Sequence, residues 1–97
     1  MNEFQVLVEF TGISRMLTGL SEMTIKIRQG TTFSEIVKLL GEKFPSMVGQ
    51  IIEKDGSVLI ATNLFSLNGQ QMIQESEMNG SPKEGDRLIL ISLLAGG

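Results

Sequence analysis

The side chains of this 97-residue chain offer little chemistry, because it contains no histidine, cysteine, tyrosine or tryptophan. Histidine is the usual acid–base group near neutral pH, and without cysteine there is neither a thiolate nucleophile nor a thiolate metal ligand. Two carboxylate pairs remain, Glu75 with Glu77 and Glu84 with Asp86, each in a polar stretch typical of solvated loops. No calcium-loop spacing and no phosphate-binding glycine motif occurs. We therefore expect neither a metal site nor an enzyme that acts alone.

The remaining candidate for chemistry is the end of the chain. Side chains shrink along Leu93-Leu94-Ala95-Gly96-Gly97, which follows the most apolar segment directly. Glycine has no side chain, so such a tail can enter a narrow channel and present a terminal carboxylate to a reagent inside another protein. The alternative is a frayed terminus without a role, which is common.

The net charge and hydrophobic content of the chain limit the classes of partner it can bind. The net charge is −3 with 41% hydrophobic residues, and the basic residues are scattered singly. An acidic chain without a basic run binds nucleic acid poorly, because phosphate neutralisation supplies most of that affinity. Neither a signal peptide nor a membrane-spanning run is visible, and the absence of cysteine fits a reducing compartment. We expect a cytoplasmic protein with no nucleic-acid or membrane partner.

Hydrophobic periodicity predicts the elements that would position the tail. Alternation over residues 4–10 and 23–28 predicts two antiparallel strands, separated by a polar, glycine-bounded stretch over 11–19. Thr32 to Glu35 fits a capping box, followed by a helical stripe that ends at Gly41 or at Phe44-Pro45. Short strands are plausible over 58–60 and 65–67, before a surface loop over 81–86.

The segment from Arg87 to Leu94 predicts a strand at the centre of a sheet, beside the first strand. It is apolar on both faces: Leu88, Leu90 and Leu94 share one, and Ile89, Ile91 and Leu93 share the other. One set must face away from the helix. The fold class is α+β, a mixed sheet of about four to five strands on one main helix, in a single domain over 1–97 with a flexible tail over 93–97.

Several segments in this order resemble the MoaD/ThiS family of sulfur carriers, relatives of ubiquitin and of the ubiquitin-related modifier. The similar segments are the opening strand over 6–10, the stretch over 12–19, Gly30-Thr31-Thr32 before the helix, Leu67-Asn68-Gly69, Gly85-Asp86-Arg87-Leu88 and Ala95-Gly96-Gly97. The resemblance implies a β-grasp fold. The ending Ser92-Leu93-Leu94 lacks the prolines of many molybdopterin-type members and is closer to the ubiquitin-related modifier.

The resemblance also implies a mechanism. A partner enzyme of the ubiquitin-activating type uses ATP to adenylate the carboxylate of Gly97, with Gly96 as its slim neighbour. A sulfur-donor protein supplies the sulfur of a thiocarboxylate, which the large subunit of a synthase then consumes. The chain itself binds no cofactor. Partner-binding residues would be Ile89, Ile91, Leu93, Leu94 and Ala95.

Molybdopterin synthesis is the favoured sulfur acceptor, with thiazole or tRNA thiolation as alternatives. The same tail would also suit a modifier conjugated to lysines, and a third possibility is an interaction module whose two glycines are incidental. The sequence leaves the acceptor, the adenylating partner and the oligomeric state open.

Overall fold

A computed structural model describes residues 2–60 and 62–93. In chain order its elements are β1 (Glu3–Phe10), α1 (Gly12–Thr18), β2 (Glu22–Arg28), α2 (Phe33–Lys43), a 3₁₀ turn (Pro45–Met47), β3 (Asn63–Leu67), β4 (Gln71–Met72), a second 3₁₀ turn (Glu75–Glu77) and β5 (Arg87–Ser92). None of the helices in this described part is long and apolar enough to cross a bilayer.

The strands form one mixed sheet in the order β2-β1-β5-β3-β4. β1 is antiparallel to β2 and parallel to β5, and β3 is antiparallel to both β5 and β4. The first and last strands therefore lie side by side at the centre, as the sequence predicted. This order, with one main helix packed across the sheet, is a β-grasp, so the expected fold class is confirmed.

The core lies between α2 and one face of the sheet. Val6, Val8 and Phe10 of β1 are buried together with Leu88 and Leu90 of β5. In parallel register Val8 is opposite Leu88 and Phe10 is opposite Leu90, so their side chains share a face. α2 contributes its apolar stripe to this core, which is completed by the largest fully buried side chains of the segments that follow: Met47, Ile51, Ile52 and Phe65.

The N-terminus of α2 has the predicted capping box. The backbone N–H of Glu35 donates to the Thr32 hydroxyl at 3.1 Å, and the backbone N–H of Thr32 donates to the Glu35 carboxylate at 2.8 Å. The helix continues through Gly41 and ends before Phe44, so the second of the two predicted ends is the observed one. Gly41 is buried, and a Cβ there would lie 3.3 Å from the side chain of Val48. This glycine permits close packing rather than termination.

Two segments differ from the sequence prediction. The stretch over 11–19 contains the helix α1, which ends at Gly19 in the left-handed conformation, with φ at 74°. The segment over 58–60 is not a strand: it makes one isolated bridge, between Leu59 and Ile52. Two backbone hydrogen bonds, from Glu53 to Val58 and from Ile60 to Ile51, hold it as an irregular loop around the predicted turn at Asp55-Gly56.

Candidate functional site: the end of β5 and the outer sheet face

β5 is the central strand, and both of its edges are hydrogen-bonded. On one side it pairs with β1 from Arg87 to Leu90, and on the other with β3 from Leu88 to Ser92. A strand with neighbours on both sides has no free backbone edge and little freedom to shift register. The backbone of β5 is therefore held on both edges up to Leu90, and by β3 alone up to Ser92.

The last described contact of the chain is a backbone hydrogen bond. The N–H of Leu93 donates to the carbonyl oxygen of Thr62 at 2.6 Å, one residue beyond the pairing of Ser92 with Asn63. The Leu93 side chain is 51% exposed. Leu93 is thus the first residue after β5, hydrogen-bonded to the sheet through its backbone and with its side chain available to a partner.

Helix α1 is attached to the same end of β5. Thr11 directly follows β1, and its hydroxyl donates to the carbonyl oxygen of Leu90 at 2.7 Å. Its backbone N–H donates to the hydroxyl of Ser14, a buried residue, at 3.0 Å. These two bonds hold the start of α1 against β5, and α1 leaves Ile13 and Met16 exposed to solvent.

The sheet face opposite α2 carries the outer patch, a set of apolar residues from four strands. Ile89 and Ile91 of β5 lie on this face because their neighbours Leu88 and Leu90 point into the core. Leu64 of β3 is directly opposite Ile91, and Ser66 of β3 is opposite both Ile89 and Met72 of β4. With Leu7 of β1 the outer patch consists of Leu7, Leu64, Met72, Ile89 and Ile91. Met72 is 46% exposed and the other four are partly buried.

One ion pair borders the outer patch. Arg87 Nε lies 3.1 Å from Glu9 Oε2, across the pairing of β1 with β5, with 44% of the arginine and 29% of the glutamate side chain exposed. Exposed pairs of this kind contribute at most about 1 kcal/mol. The contact fixes the position of two charges at the edge of an apolar surface more than it stabilises the domain.

The structure places only part of the predicted site. Ile89 and Ile91 lie on the outer sheet face as expected, and Leu93 is exposed at its end. Leu94, Ala95, Gly96 and Gly97 lie outside the described residues. Sequence reasoning missed Leu7, because it stands among polar residues of β1. It missed Leu64 and Met72 because the chain between Pro45 and Met78 has no clear periodicity. The Asn68-Gly69 turn was the available signal for the strands on either side of it.

The two carboxylate pairs singled out in the sequence, Glu75 with Glu77 and Glu84 with Asp86, lie in surface turns and loops. Glu75 and Glu77 are exposed in the second 3₁₀ turn. Asp86 accepts from the Asn68 amide at 3.0 Å and from the backbone N–H of Lys83 at 2.7 Å, which is a loop-fixing role. Within residues 2–60 and 62–93, no three Asp or Glu side chains come close enough to hold a metal ion. A surface depression of about 440 Å³ lies between the loop over 53–59 and the segment over 73–79, and its lining includes Asn63 and Leu64 of β3, which pair with the end of β5.

Comparison with known proteins relates this geometry to one group of folds. No family model matches the chain, and no curated protein does. Among solved structures, small archaeal modifier protein 1 from Methanosarcina acetivorans has a TM-score of 0.79 at 19% identity, covering 100% of both chains. The chain has the fold of these modifiers.

Two further structures extend the group. Urm1 from Trypanosoma brucei has a TM-score of 0.70 at 21% identity, covering 100% of this chain and 99% of its own. A putative molybdopterin converting factor, subunit 1, from Pyrococcus furiosus has a TM-score of 0.68 at 16% identity, covering 92% of this chain and 97% of its own. At such identities the likeness establishes the ubiquitin-like β-grasp fold, which the sequence resemblance implied. Function needs its own argument.

Proposed function

We propose that this chain is a sulfur carrier that works through the carboxylate of Gly97 as the terminal group. It is a co-substrate or subunit of partner enzymes rather than an enzyme itself. The observation that carries the proposal is the position of Leu93, where the chain leaves the central strand of a β-grasp sheet. From there four more residues lead to Gly97.

The reach of the tail supports the proposal. Four fully extended residues span at most about 14 Å beyond Leu93. Ala95, Gly96 and Gly97 belong to the two smallest residue types, alanine and glycine, so they would enter a channel that a larger side chain would block. Because β5 is paired with β1 up to Leu90 and with β3 up to Ser92, a partner that binds the sheet also determines where the tail begins.

The outer patch is a second observation that supports the proposal. It is an apolar surface on the strand that leads to the tail, and its residues Ile89 and Ile91 continue towards Leu93. Apolar surfaces rimmed by charged groups are typical of protein–protein contacts. We propose that the adenylating enzyme and, later, the large synthase subunit dock on this face and on residues Leu93, Leu94 and Ala95.

The chemistry explains why the carrier needs no reactive side chain. A carboxylate is a poor electrophile, so the partner first joins it to AMP from ATP and releases pyrophosphate. Hydrosulfide, delivered by a sulfur-donor protein, then attacks the acyl carbon; AMP leaves, one proton is released, and the carboxylate oxygen has been replaced by sulfur. The thiocarboxylate later gives this sulfur to the acceptor. These reactions need ATP in the partner, and we place them in the cytoplasm.

For the acceptor we propose a molybdopterin-type precursor, with the chain as the small subunit of the synthase. The support is the shared fold with the Pyrococcus furiosus protein, which is described as a putative molybdopterin converting factor subunit. Thiolation of a thiazole or of tRNA would use the same tail.

A second candidate function is a protein modifier joined to lysines through Gly97. The similar structure from Methanosarcina acetivorans is described as a small archaeal modifier protein, and this favours the candidate. Both functions begin with the same acyl-adenylate. They differ in whether sulfur or a lysine amine displaces AMP.

The deciding experiment is the intact mass of the protein isolated gently from its native cell. A fraction heavier by one exchange of oxygen for sulfur, located at Gly97, would confirm the carrier function. Gly97 joined to lysines of other proteins would establish the modifier function instead. The same spectrum checks that Gly97 is the terminal residue in the cell, as the proposal requires.

Reconstitution with ATP and the cognate adenylating enzyme tests the tail directly. Gly96→Val adds a branched side chain next to the reacting carboxylate and should abolish adenylate formation while the domain still folds. The matched control is a chain ending in a carboxamide at Gly97, which keeps the tail slim but removes the reacting oxygen. Normal adenylation of Gly96→Val would contradict the narrow-channel argument, and any adenylation of the carboxamide would contradict the chemistry.

A further inference from the structure

β2 is an edge strand, and it is the longer of the two edges. The sheet order places β1 on one side of β2 and no strand on the other, whereas the opposite edge, β4, has only two residues. β2 runs over seven residues, from Glu22 to Arg28. An edge of this length offers a row of backbone donors and acceptors to another chain.

The register identifies which backbone groups point outward. The N–H of Phe10 donates to the carbonyl of Ser21 at 2.9 Å, and the N–H of Gln29 donates to the carbonyl of Asn2 at 2.8 Å. In an antiparallel pair, residues alternate between those bonded to the partner strand and those that face away. The odd-numbered residues of β2 therefore bond β1. The even-numbered residues present their N–H and C=O groups to the open edge: Glu22, Thr24, Lys26 and Arg28.

The described part of the chain leaves these outward groups almost entirely free. The carbonyl of Arg28 accepts from the N–H of Thr31 at 3.0 Å. No hydrogen bond from a described loop or side chain reaches the outward groups of Thr24 or Lys26. All four even-numbered side chains are exposed on the outer sheet face. The edge is thus accessible over its whole length.

The two ends of the edge carry opposite charges that are poorly matched within the chain. Glu22 is directly opposite Glu9, another acid, and Glu9 is already paired with Arg87. Arg28 is opposite Glu3, but these two side chains do not form an ion pair within 4 Å. The ion pair found among the described residues joins Arg87 to Glu9. Like charges directly opposite each other on a sheet are destabilising, so Glu22 in particular lacks a favourable neighbour.

The geometry points to a second copy of this chain as the occupant of the β2 edge. Two β2 strands placed antiparallel, with the two-fold axis at Ile25, put Glu22 of each copy opposite Arg28 of the other. Thr24 then lies opposite Lys26. The outward N–H groups of Thr24, Lys26 and Arg28 meet the free carbonyls of Lys26, Thr24 and Glu22 in the second copy. The contact is isologous, as expected for a closed dimer.

Other registers fit less well. A shift by one residue would turn inward-bonded groups towards the second copy, so only even shifts are available. Centring the axis at Lys26 places two lysines opposite each other. Centring it at Thr24 pairs Glu22 with Lys26 but leaves Arg28 beyond the overlap, so fewer backbone bonds form. Only the axis at Ile25 combines full overlap with opposite charges at both ends.

The dimer would leave the proposed sulfur-carrier surface free. Strands in a sheet are about 4.8 Å apart, so β5 lies about 10 Å inside the β2 edge. The two five-stranded sheets would join into one continuous sheet whose outer patches both remain exposed. The two-fold axis would direct the two tails to opposite ends. The dimer does not depend on the tail chemistry, so the two proposals stand or fall separately.

Sedimentation velocity of the full chain over a range of concentrations, at low and at high salt, tests the inference. We expect a reversible dimer that weakens as salt rises, because the ion pairs at both ends are exposed. Glu22→Arg and Arg28→Glu each place like charges at two positions of the interface and should raise the dimer dissociation constant about tenfold. The double variant Glu22→Arg/Arg28→Glu restores opposite charges and should return it to within about threefold of the natural chain.

Matched controls separate this contact from net-charge effects. Glu84→Arg and Lys54→Glu make the same two changes of charge at exposed loop positions, and should leave the dimer unchanged. Thr24→Pro removes one outward N–H at a position where an edge strand tolerates proline, and should abolish the dimer while the far-UV spectrum is retained. A monomer at all concentrations would overturn the inference, as would a dimer that the single reversals leave intact or that the double variant fails to restore.

Discussion

Replacing Leu93 tests whether the point where the chain leaves the sheet is a docking residue. Full burial of a leucine side chain is worth about 1.5–3 kcal/mol, and Leu93 is 51% exposed in the free chain. The buried half stabilises the fold by about 1 kcal/mol. Leu93→Asp should therefore lower the melting temperature by only about 4–8 °C. Its backbone bond to Thr62 does not involve the side chain and should persist.

The effect on partner binding should be larger. Docking would bury the exposed half of the leucine, worth about 1 kcal/mol, and aspartate would also bring a carboxylate into an apolar contact, at a cost of about 1–3 kcal/mol. The sum of about 2–4 kcal/mol of lost binding free energy corresponds to a dissociation constant about thirtyfold to a thousandfold larger. Leu93→Ala removes only the apolar contribution and should weaken binding about fivefold.

Titration calorimetry with the cognate adenylating enzyme, without ATP, measures this affinity separately from the chemistry. Val58→Asp is the control, because Val58 is an apolar residue with 37% exposure in the loop over 53–59, outside the outer patch and without a strand pairing to β5. It should leave the affinity unchanged. If Leu93→Asp folds and binds within about threefold of the natural chain, Leu93 does not dock a partner, and the outer patch loses its link to the tail.

Other substitutions test how the domain holds the strand that leads to the tail, each measured by urea denaturation. Leu90→Ala empties a site that is 1% exposed in the core and should cost about 2–5 kcal/mol; a loss below 1 kcal/mol would contradict the placement of this face. Thr32→Ala removes the helix cap and should lower the free energy of unfolding by about 1 kcal/mol. An unchanged free energy of unfolding would show that the capping box does not stabilise α2. Asn68 has φ at 57° and bonds both Asp86 and the N–H of Arg87, so Asn68→Ala should cost about 2 kcal/mol and Asn68→Gly less, because glycine avoids the backbone strain. Arg87→Gln should cost at most about 1 kcal/mol, and high salt should remove the difference.

The elements with a local signal were predictable. Thr32 and Glu35 mark the start of α2 by their chemistry alone, and the alternation in β1 and β2 identifies both strands and their buried faces. The apolar run of β5 predicted its central place, because nearly continuous apolar runs are typical of strands in the middle of a sheet. The pairing of β1 with β5 followed from this and is confirmed.

Helix α1 could not be predicted with the same rules. It has seven residues, too few for a hydrophobic period to repeat, and the residue three positions after Thr11 is serine rather than the glutamate or glutamine of the usual capping box. Its N-cap hydroxyl bonds Leu90, which is 79 positions away in the sequence. A helix held by a contact of that range depends on tertiary structure, which local patterns do not encode.

The segment over 58–60 shows the opposite error. Val58, Leu59 and Ile60 are three β-favouring apolar residues next to a turn, and they predicted a strand. Leu59 and Ile60 are partly buried and Val58 is exposed, and a single bridge to Ile52 replaces a ladder. Propensity favoured a strand here but could not predict whether a partner strand was within reach. The candidate site was predictable in part: its residues on β5 were found from the sequence, and those on β3 and β4 were not.

The parallel contact between β1 and β5 has a consequence for the order in which the protein is made. Among the described strands, β5 alone joins the β1–β2 pair to the β3–β4 pair. Until residues 87–92 have left the ribosome, the two pairs have no strand between them, and the core face of β1 lacks Leu88 and Leu90. The sheet can therefore close only after β5 has been synthesised. A folded domain then reports that translation has already reached the residues just before the tail. A chain interrupted before residue 87 would lack the central strand as well as the tail, and would be an unfolded substrate for proteases rather than a competitor for the proposed adenylating enzyme.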